Sequence, residues 1–376
     1  MAVKTYDAAI AGGGLIGGAI ACELARAGLR VALFDRQEPG HEASWAGAGI
    51  ISPAPEHPGM ISLVPLGRAS AALYPRFIAQ IEERSGQRTG YRAKGTLQAL
   101  FARDAREELS TLVALHRGLG LACDPLHVDE ARELEPALSE DVQAAALRPE
   151  EACVDNRLLT RAVLEAARRS GVEIFPGTGV EAVWQEAGRC AGVVTSAGKI
   201  AAGHTVIAAG CYSAGIGGAE SYAPVRPARG QMLALRSPAL RVERVLWSER
   251  IYFVPRDDGR VLAGATLEYA GFEKKLTAAG ILSLLDAALE LAPAARDAEI
   301  VETWCGLRPD SPDHLPILGP TDVEGLLMAT GHFRSGILLA PVTAQLVREW
   351  IVEKCVSYDV ERMSPLRFQG APGAPR

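Results

Sequence analysis

The sequence predicts an α/β fold in which a doubly wound parallel sheet is joined to a second, mostly β part. Three observations predict it. A strand, a glycine-rich turn, a helix and a second strand follow one another within the first 35 residues. A helix and a strand at similar spacing recur between residues 156 and 175, and short strand-like runs with one apolar helix fill residues 95–291. Alternating strands and helices indicate a parallel sheet, whereas consecutive strands indicate an antiparallel one. At 376 residues the chain exceeds the roughly 250–300 at which single cores stop growing, so two domains or one interlocked pair are expected.

The first element is a short buried strand, Tyr6-Asp7-Ala8-Ala9-Ile10-Ala11, which runs into Gly12-Gly13-Gly14-Leu15-Ile16-Gly17. A small-residue helix over 19–27 follows, stopped by Gly28, and residues 30–34 form a second strand ending at Asp35. These glycines spell G-x-G-x-x-G at a strand-to-helix turn. Gly12 permits the tight turn, Gly14 lets the backbone approach a pyrophosphate, and Gly17 lets the helix pack close to the sheet. The helix start offers free N–H groups and a positive dipole end to phosphates. Asp35 is spaced to hold ribose hydroxyls, and an acid there disfavours a 2′-phosphate, which leaves NAD or FAD. A glycine turn used only for packing is the alternative; the register of strand, turn, helix, strand and acid favours a dinucleotide site.

Next comes a loop of small residues, Ala43-Ser44-Trp45-Ala46-Gly47-Ala48-Gly49-Ile50-Ile51. It cannot build a core, yet it is too apolar for a solvated linker, and such loops suit close backbone approach to a large ligand. Residues 56–68, with their Pro and Gly content, read as a mobile loop or short helix that could act as a lid. An amphipathic helix is expected over 156–169, a parallel strand over 172–175, a hairpin-like region over 180–194, and a strand over 205–210 before Tyr212-Ser213. Strands over 95–101, 229–235, 250–254 and 260–267, with a helix over 278–291, make up the second part. Gly331-His332-Phe333-Arg334-Ser335-Gly336 then leads into an apolar-periodic helix over 337–351.

Composition narrows the function classes. A net charge of −6 with scattered arginines provides no basic stripe, which argues against nucleic acid. The apolar stretch 8–21 is broken by five glycines, too short for a membrane span. It also lacks the basic start and cleavage pattern of a signal peptide, so a cytoplasmic protein is expected. Seven cysteines at irregular spacing contain no Cys-x-x-Cys pair, and seven histidines show no ligand spacing. Reduced thiols and no metal are the expectation.

The segments around 43–51, 205–213 and 331–337 resemble the FAD-dependent D-amino-acid oxidase family, and more closely its bacterial glycine oxidases of thiamine biosynthesis. Val154-Asp155-Asn156-Arg157, Arg226-Pro227-Ala228-Arg229-Gly230-Gln231, Tyr252-Phe253-Val254-Pro255-Arg256, Trp304-Cys305-Gly306-Leu307-Arg308-Pro309 and Pro312-Asp313-His314-Leu315-Pro316-Ile317-Leu318-Gly319 carry the resemblance across residues 6–355. It implies a Rossmann-like, doubly wound FAD-binding domain interleaved with an α+β substrate domain on a mostly antiparallel sheet. The implied FAD domain covers 1–88, 142–221 and 304–366, the substrate domain 89–141 and 222–303, and 367–376 form a flexible tail.

The resemblance implies non-covalent FAD, held by Gly12, Gly14, Leu15, Ile16, Gly17, Asp35, Arg36, Ala43, Ser44, Ala48, Gly49, Ile50, Val180, Ala209, Gly210, Gly331, His332, Phe333, Arg334, Ser335, Gly336, Ile337 and Leu338. It implies Arg308 as the clamp of a substrate carboxylate, because a guanidinium grips a carboxylate with two parallel bonds. An arginine paired with Asp310 or Asp313 is the bland alternative. Tyr252 is implied as a second carboxylate contact, against simple core packing, and Arg334 as a substrate-proximal cation, against contact with solvent or flavin edges. Cys305 falls one residue from the position at which some relatives bind flavin covalently, and a buried free thiol is expected.

The implied reaction is oxidation of glycine or another small amino acid or amine, such as sarcosine or a small D-amino acid. Hydride passes to flavin N5, the imine goes on to keto acid and ammonia, and O2 becomes H2O2, in the service of thiamine thiazole formation. A D-amino-acid or sarcosine dehydrogenase feeding a quinone or protein acceptor is the alternative, and a flavin-binding scaffold without turnover is a third reading. A homo-oligomer is the implied assembly.

Overall fold

A computed structural model describes residues 5–369. The first sheet runs in the order Ile317–Pro320, Leu326–Thr330, Gly198–Ile207, Thr5–Ala11, Val31–Phe34, Glu173–Phe175. Its inner pairs are parallel: Thr5–Ala11 lies between Gly198–Ile207 and Val31–Phe34. The meander Val180–Glu186, Arg189–Thr195, Gly198–Ile207 branches from it. Four helices, Leu15–Arg26, Val64–Ser85, Asn156–Arg169 and Gly336–Arg348, pack against one another beside it and share the largest apolar core. Their closeness depends on small residues. A Cβ at Gly18 would stand 3.1 Å from Val163 and 3.3 Å from Leu164, tight contacts for the helix Asn156–Arg169.

The second sheet runs in the order Glu299–Asp310, Arg226–Arg236, Arg260–Gly264, Tyr252–Pro255, Val245–Trp247, Thr96–Leu100, Ala144–Arg148, Asp124–Leu126. Every pair is antiparallel except Val245–Trp247 with Thr96–Leu100. The helix Ala278–Leu291, capped by the Thr277 hydroxyl on the Gly280 N–H, buries Leu284, Ala287, Ala288 and Leu291 against Leu233, Leu235, Phe253 and Ala263. Among the described residues no helix is long and apolar enough to cross a membrane.

Several boundaries differ from expectation. Residues 144–148 and the strand through 304–310 belong to the second sheet, because Ala144–Arg148 pairs with Thr96–Leu100 and Glu299–Asp310 pairs with Arg226–Arg236. The first helix starts at Leu15, directly after the glycine turn, and the second strand starts at Val31, since the Arg30 N–H is held by Asp7. Residues 56–68 are a 3-10 turn, Pro58–Leu63, followed by the long helix Val64–Ser85. The helix Ala105–Gly118 was not anticipated. The expected tail begins too early at 367: Pro365–Phe368 forms a turn and Arg367 pairs with Asp313, whereas 370–376 lie outside the described residues.

One motif ties the halves together. Asp155 caps the helix Asn156–Arg169 by accepting the N–H groups of Arg157 and Leu158, both at 3.0 Å. The first turn then faces the loop at 43–46. Asn156 donates to the carbonyls of Ser44 (2.7 Å) and Trp45 (2.9 Å). The Arg157 guanidinium lies 3.6 Å from the centroid of Trp45 and 4.8 Å from that of Trp304, and meets Glu302 through two bonds of 2.9 and 3.0 Å.

Candidate active site

A single cavity of about 870 Å³ runs along the carboxyl ends of the first sheet and on between the sheets. Its first wall is the glycine turn. Gly12 has φ +109°, and a Cβ there would overlap the Ala208 carbonyl, while one at Gly17 would overlap the Gly12 carbonyl. At Gly14 a Cβ would meet only Ser44 Oγ, at 3.0 Å, so its face is open to the cavity. The Gly13 N–H donates to Asp35 (2.8 Å) and the Leu15 N–H to Ser44 (2.8 Å), which fixes the turn from both sides. Burial pushes the Asp35 carboxyl above its usual value, although it accepts the N–H groups of Gln37 and Gly13.

Beyond Asp35, Arg36 lies 3.2 Å over the Tyr212 ring and pairs with Glu42, and Tyr212 stacks on Phe272 at 5.0 Å. Ala43, Ser44, Ala48, Gly49, Ile50, Val180, Ala209 and Gly210 continue the wall, and residues 332–338 close it at the start of the helix Gly336–Arg348. Two expected members do not line it. Gly17 is pressed against the Gly12 carbonyl, and Gly331, at φ +68°, faces Ile317; both shape the backbone rather than the lining. His332 is buried with Nε2 3.1 Å from Thr343 Oγ1, and burial pulls its imidazolium down to about 3.

The far end is built on the second sheet. Arg308 stands opposite Ala228, and its side chain crosses onto the next residue of the same face, Gly230, where a Cβ would overlap the guanidinium. Tyr252 stands opposite Gly264, where a Cβ would come within 2.9 Å of the Tyr252 hydroxyl and Met232. Glycines on two adjacent strands thus leave room for a large cation and a phenol side by side. The Arg308 Nη1 donates to the Thr266 carbonyl (3.1 Å), and no carboxylate pairs with it among the described residues. The acids that offered a bland alternative are engaged elsewhere: Asp310 by Arg226, Tyr269 and His314, Asp313 by Arg367. Burial lowers the pKa of Arg308 and raises that of Tyr252, and each neighbour favours the charged form of the other. Arg334 lines the same space and is ion-paired with Glu56 from the segment before Pro58–Leu63.

The three expected catalytic side chains, Arg308, Tyr252 and Arg334, therefore line one cavity with the glycine turn. Gly230, Met232, Trp247, Gln98, His116, Arg148 and Glu56 also line it and were missed. Only Gly230 lay in a recognised motif; the others reach the cavity through pairings between distant strands and helices.

A family model described as FAD dependent oxidoreductase (DAO) matches residues 7–350. The chain belongs to this FAD-dependent oxidoreductase family. A glycine oxidase of Geobacillus kaustophilus is 34% identical over 374 residues, covering 98% of each chain. Its family's solved structures include the crystal structure of glycine oxidase from that organism, which superposes with a TM-score of 0.91 at 33% identity over 97% of this chain and 99% of the other. The bifunctional protein ThiO/ThiG of Trichormus variabilis is 39% identical over 354 residues, 93% of this chain and 53% of that protein. The chain thus spans about half the length of such two-function relatives.

The cofactor of this oxidoreductase is FAD, and the residues fit it. The open face of Gly14 and the N-terminus of the helix Leu15–Arg26 suit a pyrophosphate. Asp35 suits ribose hydroxyls, and the start of the helix Gly336–Arg348 has no side-chain cap, leaving its N–H groups available to a flavin edge. Cys305 is not part of the lining.

Two outcomes follow. Gly336→Pro removes one N–H at a position where helices accept proline, and FAD affinity measured on the apoprotein should fall several-fold; unchanged affinity would remove that helix end from the flavin site. The folded-state value of His332 lies below its ordinary 6.5, so the folded protein binds fewer protons than the unfolded chain between the two. Stability should therefore fall as pH drops below 6.5, approaching about 1.4 kcal/mol per pH unit from this group. Denaturant titrations at pH 5.5 and 7.5 should show that loss, and His332→Gln should reduce it.

Proposed function

We propose that the chain is an FAD-dependent amino-acid oxidase of the glycine-oxidase type. It would act on glycine, sarcosine or a small D-amino acid and contribute to formation of the thiamine thiazole, with non-covalent FAD and O2 as the acceptor. The observation that carries this reading is the pairing of Arg308 and Tyr252 on the cavity wall, with a guanidinium that no carboxylate among the described residues neutralises. The relatives named glycine oxidase and ThiO support it.

When bound, FAD would supply the hydride acceptor and the route for electrons to O2. The protein does the rest. Arg308 grips the substrate carboxylate in a half-buried setting where the ion pair is screened little, and Tyr252 donates its hydroxyl to the same group. This anchors the substrate by its carboxylate and orients the carbon bearing the amine, a proximity effect worth several kcal/mol. The amine enters neutral, so hydride loss leaves a protonated imine and no side-chain base is needed; water then gives the oxo acid and ammonia, or methylamine from sarcosine. The neutral, buried His332 holds Thr343 and takes no proton. Arg334, paired with Glu56, adds positive potential at the entrance.

Anaerobic mixing of the yellow protein with glycine, sarcosine and D-alanine tests the reading. Bleaching followed by recovery and H2O2 on admission of air is expected; bleaching without recovery would indicate a dehydrogenase, and no bleaching with any of the three would sink the assignment. Gly230→Ala tests the clamp. The added Cβ displaces the end of a flexible side chain rather than backbone, so flavin content should be unchanged while KM rises about tenfold or more. An unaltered KM would mean that Arg308 does not hold the substrate.

A further inference from the structure

The cavity does not stop at the clamp. Past Tyr252 it continues along Trp247, Gln98, His116 and Arg148, further than glycine, with five heavy atoms, needs. Tyr252 and Trp247 lie ring to ring at 5.3 Å, and the Arg148 guanidinium lies 5.6 Å from the Trp247 ring, so clamp and extension share one aromatic wall. Arg148 and His116 are 6% and 4% exposed. Arg148 meets Glu151 through Nη1 (3.2 Å) and Gln98 Oε1 through Nη2 (3.1 Å), and its Nε donates to no group among the described residues. Glu151 in turn accepts the Ser52 hydroxyl. His116 offers Nδ1–H to the Leu112 carbonyl (2.9 Å), which leaves Nε2 an acceptor with no partner among the described residues.

An ion pair buried only to brace a turn gains little over apolar packing. This one sits on the wall of the cavity, beside the Gln98 amide, the Trp247 indole face and the His116 imidazole, with Glu249 as the acid on the same stretch of lining. Arginine has five N–H bonds, and two contacts leave donors on the guanidinium for an incoming oxyanion. Glu151 meets the guanidinium through Nη1 from outside the lining, which leaves the other donors of Arg148 free of it.

We propose that Arg148, with the Gln98 amide and beside the Trp247 ring, forms a second carboxylate subsite, so that the enzyme takes amino acids or secondary amines carrying a second carboxylate on a short arm. The proposal rests on the amino-acid oxidase reading for the position of the first carboxylate. One carboxylate sits on Arg308 and Tyr252, and the other reaches past the Tyr252–Trp247 wall to Arg148. Glycine fills the clamp alone.

Binding to the FAD-loaded protein tests this without turnover. Acetate, malonate, succinate and glutarate are titrated while the visible flavin spectrum is followed. At least one dicarboxylate should bind about tenfold or more tightly than acetate, as a charge-assisted pair of hydrogen bonds provides. Arg148→Met should abolish that preference, and Gln98→Leu, at a half-buried position, should reduce it at least about threefold, with acetate affinity nearly unchanged in both. If Arg148→Met loses its flavin, Gln98→Leu decides alone. Equal affinity for mono- and dicarboxylates, or a preference that survives Gln98→Leu, overturns the subsite. Anaerobic bleaching by glycine in the same preparation reads the oxidase assignment separately: its loss with an intact dicarboxylate preference strikes the activity and leaves the subsite standing.

Discussion

The architecture depends on one close approach of backbone to backbone, where Gly12 meets Ala208 at the ends of two parallel strands and Gly17 meets the Gly12 carbonyl one turn later. Any side chain there would push apart the strand ends and the helix that begins between them. From this contact the geometry propagates. The helix Leu15–Arg26 lies close to the sheet, Gly18 draws the helix Asn156–Arg169 against it, and the first turn of that helix carries Asn156 and Arg157. Those two side chains fix the 43–46 loop, and Ala46 fills the space that Gly306 leaves open. Arg308 is two residues further along that strand. The glycine turn and the proposed carboxylate clamp, in different sheets, are thus connected through a few contacts.

Charge in the cavity is arranged by what is left unpaired. Most arginines of this chain meet a carboxylate, and Arg334 and Arg148 do so inside the cavity. Among the described residues Arg308 has a carbonyl, Thr266, and a phenol beside it, and no carboxylate. A guanidinium half-buried without an anion is costly to maintain, and binding of an anionic ligand, as proposed, would recover that cost. Room for it comes from absence: Gly230 and Gly264 supply no side chains where any would collide with Arg308 or Tyr252.

Local chemistry was legible in the sequence and long-range pairing was not. The glycine turn, Asp35 and the helix over 156–169 could be read because their signals lie within a few residues, as turn, cap and periodicity. The clamp needed the family resemblance, since nothing near Arg308 in the chain announces that Gly230, some eighty residues earlier, lies beneath it. Residues 144–148, within the implied FAD piece 142–221, pair with the second sheet for the same reason: Ala-Ala-Ala-Leu-Arg suits either sheet, and only its register with Thr96–Leu100 decides. His116 and Arg148 sit on a helix and a strand whose sequences carry no mark of a cavity, so their place on its wall emerges only from packing.

The order in which the chain visits its two sheets has a consequence for how such a protein can change over generations. It begins in the first sheet, enters the second over 96–148, returns over 173–207, leaves again over 226–310 and ends in the first over 317–330. With four crossings, neither sheet corresponds to a contiguous stretch of gene. Recombination with a single crossover would therefore divide both, and neither half can be inherited, lost or exchanged as a module. New substrate preferences then arise by substitutions at the positions that line the cavity, scattered over all of these passages.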